Sequence, residues 1–243
     1  MDFCKLCHNR GLIIEGNLAI PCSCLPQKAL ARRFKKSGLP PYLRTCTFEN
    51  FDFKYYSRQN IDLSKGLSYF DSARLTFQAA SDFVAAFQEN TVTDGLLFTG
   101  PVGSGKTFLA CCIANNLLEK GHLVLFVIVP DLLDLIRYTY DSNRSPDDPT
   151  EQDLLETARQ VPLLILDDLG AHNYTEWVRN KLYSILNHRL NYSLPTIITT
   201  NINLEDLEEH LGERTTSRIY QMCRPYRLPV DIDIRAVQRQ QRV

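Results

Sequence analysis

The feature that most restricts the fold of this 243-residue chain is a glycine-rich stretch of eight residues, Gly100-Pro101-Val102-Gly103-Ser104-Gly105-Lys106-Thr107. Glycines at these positions let the backbone wrap around an anion and turn its N–H groups inward. The helix that we predict to follow presents its positive end to the same anion. Lys106 is placed to reach the β- and γ-phosphates of a nucleotide, and the Thr107 hydroxyl to ligate Mg²⁺. The stretch therefore predicts a phosphate-binding loop for ATP and Mg²⁺, with a chance glycine-rich turn as the alternative.

A repeating strand-then-helix pattern surrounds this loop. Short apolar runs predict strands, and segments with helical spacing follow them. Strands written as continuous apolar runs are typical of a parallel sheet buried on both faces. We therefore predict an α/β fold, a parallel sheet covered by helices on both faces, with Asn203 capping the last of the helices. The predicted strands are 95–99, 123–129, 163–166 and 196–200, and the predicted helices are 106–120, 131–140, 151–160, 176–190 and 204–211.

Polar residues at two strand ends complete a candidate hydrolytic site. The apolar run 163–166 ends in Asp167 and Asp168. We assign Asp167 to Mg²⁺, and Asp168 to orienting or deprotonating an attacking water; a solvated Asp-Asp turn is the alternative. Asn201 follows the strand 196–200 and can hold that water near the γ-phosphate, although on the residues alone a turn-forming asparagine is the simpler interpretation. The pattern predicts an ATPase that converts ATP and water to ADP and phosphate.

Cysteines are concentrated at the start of the chain. Four of the eight lie within the first 24 residues, as a Cys4-x-x-Cys7 pair and a Cys22-x-Cys24 pair. Four thiolates suit a closed, structural Zn²⁺ site, and a module this small needs a metal to fold. An iron–sulfur cluster and redox-active thiols are the alternatives, and His8 can replace one ligand. The remaining cysteines, at 46, 111, 112 and 223, are expected to be buried as small hydrophobic side chains.

Charge and hydropathy restrict the partners. The longest apolar run, 123–130, is far shorter than the roughly 20 residues of a membrane span, so we expect no membrane partner. The first residues lack a basic stretch followed by an apolar core, so we expect no secretory signal and a cytoplasmic protein. Because the net charge is −1, a nucleic acid has to be met by a local basic patch.

We expect three regions along the chain: a zinc-binding module at 1–25, a basic helix and linker at 26–65, and an ATPase domain at 66–243. The basic helix is predicted at 27–36, and the aromatic-rich segment 45–60 is expected to pack on the ATPase domain. A further helix at 71–89 is predicted to bury one stripe of side chains, Leu75, Ala79, Phe83, Ala86 and Phe87.

Several motifs together resemble a known family. These are Asp167-Asp168-Leu169-Gly170-Ala171, the strand from Leu194 to Asn201, the pair Arg214-x-x-x-Arg218, and the linker segments 37–40 and 47–51. The chain looks like the DnaC/DnaI bacterial replicative helicase loaders, and IstB-like transposition ATPases are close relatives. The resemblance covers nearly the whole chain and implies an AAA+ ATPase without a full helical lid.

The resemblance also implies roles for single residues. Asn201 becomes the sensor-1 residue, Arg218 an arginine finger that completes a neighbouring subunit's ATP site with Arg214 beside it, and Arg235 a sensor 2. Without the resemblance, Arg214 and Arg218 are two solvated arginines on one helix face. Two regions are implied to hold single-stranded DNA: the segment 131–160, with Arg137, Tyr138 and Tyr140, and the start of the next helix, with Thr175 and Trp177. Core packing is the alternative for each aromatic ring, and the basic stretch 28–36 is a further candidate surface.

We therefore expect a loader that places a DnaB-type replicative helicase on single-stranded DNA, self-associates through the ATP site, and uses ATP binding and hydrolysis as a switch. One alternative is an IstB-like transposition helper that binds double-stranded DNA and a transposase. The other is a nucleotide-gated adaptor in which hydrolysis is incidental. The cysteine-rich start favours the loader over the transposition helper.

Overall fold

The computed structural model describes residues 4, 6–8, 10–15, 18–22, 24–33, 45–91, 94–141, 145, 147–170 and 174–240. Among these residues, no helix combines the length and the apolar character needed to cross a bilayer. In chain order the elements are β1 (Leu12–Glu15), β2 (Leu18–Pro21), α1 (Cys24–Arg33), β3 (Ile61–Asp62), β4 (Leu67–Ser68), α2 (Tyr69–Gln88), β5 (Gly95–Thr99), α3 (Lys106–Glu119), β6 (Val124–Ile128), α4 (Val129–Tyr138), α5 (Glu151–Gln160), β7 (Leu163–Leu169), α6 (Glu176–Asn191), β8 (Thr196–Thr200), α7 (Leu207–Leu211), α8 (Glu213–Met222), β9 (Cys223–Arg227) and α9 (Ile234–Gln240).

A five-stranded sheet in the order β6-β7-β8-β5-β9 forms the centre of the molecule, and its neighbouring strands all run parallel. Side chains that alternate along β7 enter two separate cores. Leu164 and Leu166 pack with α4 to α8 on one face, whereas Leu163 and Ile165 pack with α2 and α3 on the other. The prediction of a parallel sheet covered on both faces is therefore confirmed. Continuous apolar runs form these strands because both of their faces are buried.

Strand β9 was not predicted from the sequence. Its residues, Cys-Arg-Pro-Tyr-Arg, form no apolar run, and only Cys223 is buried. Position explains the composition: β9 is an edge strand that pairs only with β5, and proline is tolerated at an edge, where one side of the strand makes no ladder hydrogen bonds.

Helix α2 buries a different face from the predicted stripe. Its buried residues are Ser72, Ala73, Thr76, Ala80, Phe83 and Val84, whereas Leu75 is 53% exposed. Of the predicted stripe, only Phe83 is fully buried. The buried face carries small side chains, which let α2 approach α3 and β9 closely, and a pattern based on large apolar residues alone does not detect such a face.

Local capping also differs from expectation at one site. Residues 204–206 form a 3₁₀ turn before α7, and the Asn203 side chain accepts no capping hydrogen bond from the backbone. Its amide instead donates to Asp206 Oδ2 at 3.3 Å. Asn203 thus occupies the predicted position without the predicted capping role.

The N-terminal residues form a hairpin followed by α1. Strands β1 and β2 pair antiparallel, and α1 ends at Arg33, so the rest of the predicted basic helix (34–36) and the linker segment 37–40 lie outside the described residues. The Gln27 side-chain amide donates to Val124 O at 2.9 Å and accepts from Val124 N at 3.2 Å, at the edge of the central sheet. Rings of the segment 48–56 pack in the core beside α2 and α3, as predicted for the aromatic-rich linker. The division of the chain at residues 25 and 65 stays a prediction.

Candidate functional site

The predicted phosphate-binding loop connects β5 to α3. Gly100, Gly103 and Gly105 have φ angles of 141°, 74° and 96°, which only glycine adopts readily. Gly103 is also required for steric reasons, because an added Cβ would lie 2.0 Å from Asp233 Oδ1. The loop thus holds together the residues predicted to bind nucleotide, Gly100, Pro101, Val102, Gly103, Ser104, Gly105, Lys106 and Thr107.

Lys106 is folded back against this loop. Its side chain is 6% exposed, and Nζ donates to the carbonyl oxygens of Gly100 and Pro101, at 2.8 Å each. Burial lowers the pKa of Lys106 to about 8, against the opposing charges of Asp167 and Asp168. The Lys106 ammonium group is therefore held by backbone carbonyl groups of the loop. It lies at the start of α3, where the helix N–H groups favour an anion.

Asp167 lies at the end of β7, next to the loop. Its Oδ1 accepts hydrogen bonds from Thr107 Oγ1 at 2.9 Å and from Thr199 Oγ1 at 2.6 Å. Burial raises the pKa of this carboxyl, and the two hydroxyl donors partly offset that effect. A hydroxyl and a carboxylate side by side are hard oxygen ligands, so Thr107 and Asp167 fit the Mg²⁺ site predicted for them.

Asp168 and Asn201 meet at the same edge of the sheet. Asn201 Nδ2 donates to Asp168 Oδ1 at 3.0 Å. Asn201 lies in the bend after β8, where the Thr200 hydroxyl accepts from the Ile202 N–H at 3.0 Å. The position thus matches the turn interpretation, while the Asn201 amide faces the carboxylate that we assign to the attacking water.

The C-terminal segment closes one side of the loop. The Ile234 N–H donates to Gly103 O at 3.1 Å. Arg235 lies close enough to Lys106 for its positive charge to lower the pKa of that lysine. The Arg235 side chain itself is 70% exposed and pairs only loosely with Asp233 Oδ1, at 3.4 Å. The structure thus brings Arg235 to the phosphate-binding loop from a distant part of the sequence.

The two arginines of α8 lie elsewhere. Thr215, Thr216, Ile219 and Met222 form the buried face of this helix, and Arg214 is exposed. Arg218 Nε donates to Asn187 Oδ1 on α6 at 3.0 Å, and its NH1 donates to Gln221 Oε1 at 3.1 Å. Among the contacts that the structure describes, those of Arg218 are thus with α6 and α8 and not with the loop of its own chain.

The four N-terminal thiols converge. The Sγ atoms of Cys4, Cys7, Cys22 and Cys24 all lie within 4.8 Å of one another, with Cys4 and Cys22 3.8 Å apart and Cys7 and Cys24 3.5 Å apart. A tetrahedral Zn²⁺ site with Zn–S bonds of about 2.3 Å requires sulfur–sulfur separations of about 3.8 Å, so the thiols fit a zinc ion. The Gly11 N–H also donates to Cys7 Sγ, at 3.4 Å. Within the described residues, His8 is not part of the converging group. Cys46, Cys111, Cys112 and Cys223 are all buried, as predicted.

An aromatic–cation cluster lies where α4, α5 and α6 meet; it consists of Arg137, Tyr140, Trp177 and Lys181. Trp177 is partly buried against the core. Its ring lies 6.2 Å from the Tyr140 ring, 5.9 Å from Arg137 Cζ and 5.6 Å from Lys181 Nζ. Tyr140 and Lys181 both contact Glu151. Tyr138 and Tyr140 are 41% and 61% exposed, so core packing accounts for Trp177 in part but not for these tyrosines.

Sequence reasoning missed three residues that support the site. Thr199 contacts both acidic residues. The buried Tyr56 donates to Ser104 O at 2.7 Å and so fixes the glycine loop, and Asp233 lies against Gly103. None of these has a motif of its own. For Thr199 alone a signal existed, since it lies two residues before Asn201 within the segment 194–201 that carries the family resemblance.

Comparison with known proteins now adds a family. The family model described as "IstB-like ATP binding protein" matches residues 27–220. The chain belongs to this family. It is 33% identical over 184 residues to the replicative helicase loader DnaI of Bacillus subtilis, covering 70% of this chain and 55% of that protein. It is 29% identical over 190 residues to the replicative helicase loader DnaC of Escherichia coli K12, covering 78% of this chain and 69% of that protein.

A solved structure shows the same fold. The crystal structure of DnaI superposes with a TM-score of 0.59 and 28% identity, over 78% of this chain and 94% of that chain. The predicted resemblance to DnaC/DnaI loaders and IstB-like ATPases is therefore confirmed. The chain nonetheless spans only 55% of the length of the B. subtilis relative.

Proposed function

We propose that the chain hydrolyses ATP at the carboxyl edge of its sheet and uses this cycle to place a DnaB-type replicative helicase on single-stranded DNA. ATP hydrolysis is supported by two hydrogen-bonded pairs that lie at the carboxyl edge of the central sheet. Thr107 bonds to Asp167, and Asn201 bonds to Asp168. Phosphoryl transfer needs positioning and charge stabilisation more than covalent chemistry. These pairs and Lys106 supply both.

Each side chain then has a separate task. The loop N–H groups and Lys106 bind the phosphates. The negative phosphates keep the Lys106 amine charged, and a charged amine forms stronger hydrogen bonds with them. Thr107 and Asp167 would hold Mg²⁺, which neutralises phosphate charge when it is bound. Asp168 orients the attacking water and accepts its proton, and Asn201 holds the Asp168 carboxylate in place by donating to Oδ1.

Arg218 and Arg214 are proposed to act in a neighbouring subunit's site. This is supported by the exposure of Arg214 and by the described contacts of Arg218, which are with α6 and α8 and not with the glycine loop of its own chain. A guanidinium delivered in trans neutralises charge that develops on the phosphate during transfer. Arg235, whose neighbour Ile234 bonds to Gly103 O, is proposed to contact the nucleotide within its own chain. Self-association follows from this arrangement, since each site would be complete only between two copies.

The helicase part of the proposal is supported by the similarity to two proteins named as replicative helicase loaders. For single-stranded DNA we propose the aromatic–cation cluster, whose rings and cations suit base stacking and phosphate contact. The four thiols are proposed to bind one structural Zn²⁺, so that residues 1–25 form a separate zinc-binding module. We propose that the protein acts in the cytoplasm, where replicative helicases meet DNA.

A binding experiment tests the partner. The full chain is mixed with the replicative helicase of the same organism, with ATP and Mg²⁺, and analysed by size-exclusion chromatography. Co-elution with the helicase supports the loader. Binding to a transposase and to double-stranded DNA, without binding to the helicase, would favour the IstB-like transposition helper instead. ATP turnover with and without single-stranded DNA separates a hydrolytic switch from an adaptor, because an adaptor binds its partners without turnover.

A matched pair of variants tests the DNA surface. Tyr140→Ala removes an exposed ring of the cluster and is expected to weaken binding of a fluorescent oligonucleotide. Base stacking on one aromatic ring is worth about 1–3 kcal/mol, or roughly 5- to 150-fold in affinity. Tyr192→Ala is the control, since Tyr192 is 68% exposed at the end of α6 and stacks on His188, 4.4 Å away. Equal affinities for the two variants would contradict the proposed surface.

A further inference from the structure

Thr199, near the end of β8, contacts both acidic residues of the site. It is 1% exposed. Its hydroxyl donates to Asp167 Oδ1 at 2.6 Å and accepts from the Asp168 N–H at 3.0 Å. A threonine hydroxyl has one donor and an acceptor oxygen, so both of its hydrogen-bonding functions are used on the two carboxylate residues.

The strand register explains why a hydroxyl is needed here. β7 and β8 pair regularly up to Leu166 and Ile198, the register then shifts, and pairing resumes between Leu169 and Thr200. Two residues of β7, Asp167 and Asp168, therefore lie opposite the single residue Thr199, which is the pattern of a β-bulge. A bulge interrupts the backbone ladder, and the Thr199 side chain takes the place of the missing ladder contact.

The backbone conformation of Asp168 also has to be stabilised by its surroundings. Asp168 has a φ angle of +59°, a left-handed conformation that costs a non-glycine residue free energy and persists only where its surroundings enforce it. The hydrogen bond from its N–H to Thr199 holds one side of the residue. On the other side, Thr200 Oγ1 donates to Leu169 O at 2.7 Å. The direction of the Asp168 carboxylate thus depends on hydroxyls of β8.

We propose that Thr199 is a positioning residue for ATP hydrolysis, whose hydroxyl fixes the metal-side carboxylate and the water-side carboxylate in one arrangement. Asn201, which directly follows β8, donates to the Asp168 side chain. Thr199 and Asn201 therefore hold the backbone and the carboxylate of Asp168 from one short segment of the chain. This role rests on the proposed ATPase function, and it makes Thr199 a residue that acts through the two carboxylate residues.

Thr199→Val tests the role because valine keeps the shape and removes both hydrogen bonds. Asp167 keeps its Thr107 donor, and the hydrogen bonds described for Thr199 go to Asp167 and Asp168 and not to the glycine loop, so we expect the Kd for a fluorescent ATP analogue to change by less than about threefold. Misplacing a catalytic group by about 1 Å can cost on the order of 100-fold in rate, so we expect kcat to fall by about 10- to 100-fold. Thr199→Ser restores the hydroxyl and is expected to keep most of the wild-type rate.

The control is Thr76→Val. Thr76 is equally buried, at 1% exposed, and its hydroxyl donates to the Ser72 carbonyl oxygen on α2 at 2.8 Å, away from the acidic pair. Its kcat is expected to match wild type. A loss of kcat at unchanged Kd in Thr199→Val, with rescue by serine, supports the positioning role. If the valine variant does not fold, Thr199→Ala carries the same comparison.

Two results overturn the proposal and identify the fault. The positioning role alone would be contradicted if the wild-type protein hydrolyses ATP and Thr199→Val has the same kcat. It would also be contradicted if Thr199→Ser is as slow as Thr199→Val. A wild-type protein that binds ATP and shows no turnover with helicase and single-stranded DNA would contradict the proposed ATPase function, and the positioning role would fall with it.

Discussion

Arg189 provides the most quantitative test of the packing that supports the site. It lies on α6 and is fully buried, at 0% exposed. Its guanidinium bridges the end of α5 and the start of β8. Its shortest hydrogen bonds go to Val161 O at 2.7 Å, Pro195 O at 2.7 Å and Thr196 Oγ1 at 2.8 Å. Burial lowers the pKa of Arg189 to about 9, so the side chain is still protonated at pH 7 and donates all of these bonds.

The expected effect of Arg189→Met follows from these contacts. Each buried acceptor left without a donor costs about 1–3 kcal/mol, so the three shortest bonds alone give about 3–9 kcal/mol. Part of this is offset, because the variant no longer buries a charged guanidinium. We therefore expect the free energy of unfolding to fall by about 3–5 kcal/mol, the lower part of that sum. That corresponds to a fall in Tm of roughly 6–20 °C.

Urea denaturation followed by circular dichroism measures this loss. Arg224→Met is the control, because the Arg224 side chain is 70% exposed and pairs with Asp94 at 2.6 Å at the surface. We expect this control to lose less than about 1 kcal/mol. Arg189→Lys should behave like Arg189→Met, since an ammonium cannot reach acceptors in several directions. An Arg189→Met protein within 1 kcal/mol of wild type would refute the reasoning.

Three further predictions concern the functional groups. Lys106→Ala is expected to abolish ATP binding and Asp168→Asn to retain binding without turnover, as measured by nucleotide titration and phosphate release; wild-type affinity in Lys106→Ala would contradict the phosphate-binding role. Elemental analysis should find about one zinc per chain, lost in Cys4→Ser or Cys22→Ser while the far-ultraviolet spectrum of the ATPase core persists; iron with a visible absorption band would reject zinc. Arg218→Ala should bind ATP normally and lose DNA-stimulated turnover, and mixing it with Lys106→Ala should restore part of the activity; co-assembly without restoration would exclude a finger in trans.

The sequence predicted the centre of the sheet well because those strands are buried on both faces. Runs such as 163–166 have to be apolar there, and their polar ends then lie together at the edge where the site forms. The edge strand β9 escaped prediction because only Cys223 faces the core. Arg189 was missed for a similar reason: a charged residue in a helix is ordinarily expected to face solvent, whereas the structure buries Arg189 completely.

Contacts between distant segments could not be predicted from the sequence. The Ile234 N–H bonds to Gly103 O, and Tyr56 bonds to Ser104 O, so one segment well before the glycine loop and one well after it both contact the loop. Nothing in the local sequence indicates either contact, since each depends on how the whole chain folds. Thr199 lies within the motif segment 194–201, but its contacts with the two carboxylates were missed because a threonine in a strand is ordinarily explained by β propensity alone.

The central claim is that this ATP site controls the placement of a helicase on DNA. The most direct measurement is unwinding of a forked substrate whose single strand is coated with single-strand-binding protein, by the replicative helicase of the same organism, with ATP and Mg²⁺. We predict that the wild-type chain raises the unwinding rate and that Lys106→Ala, which still co-elutes with the helicase, does not. No stimulation by the wild-type chain, or equal stimulation by both proteins, would contradict the account.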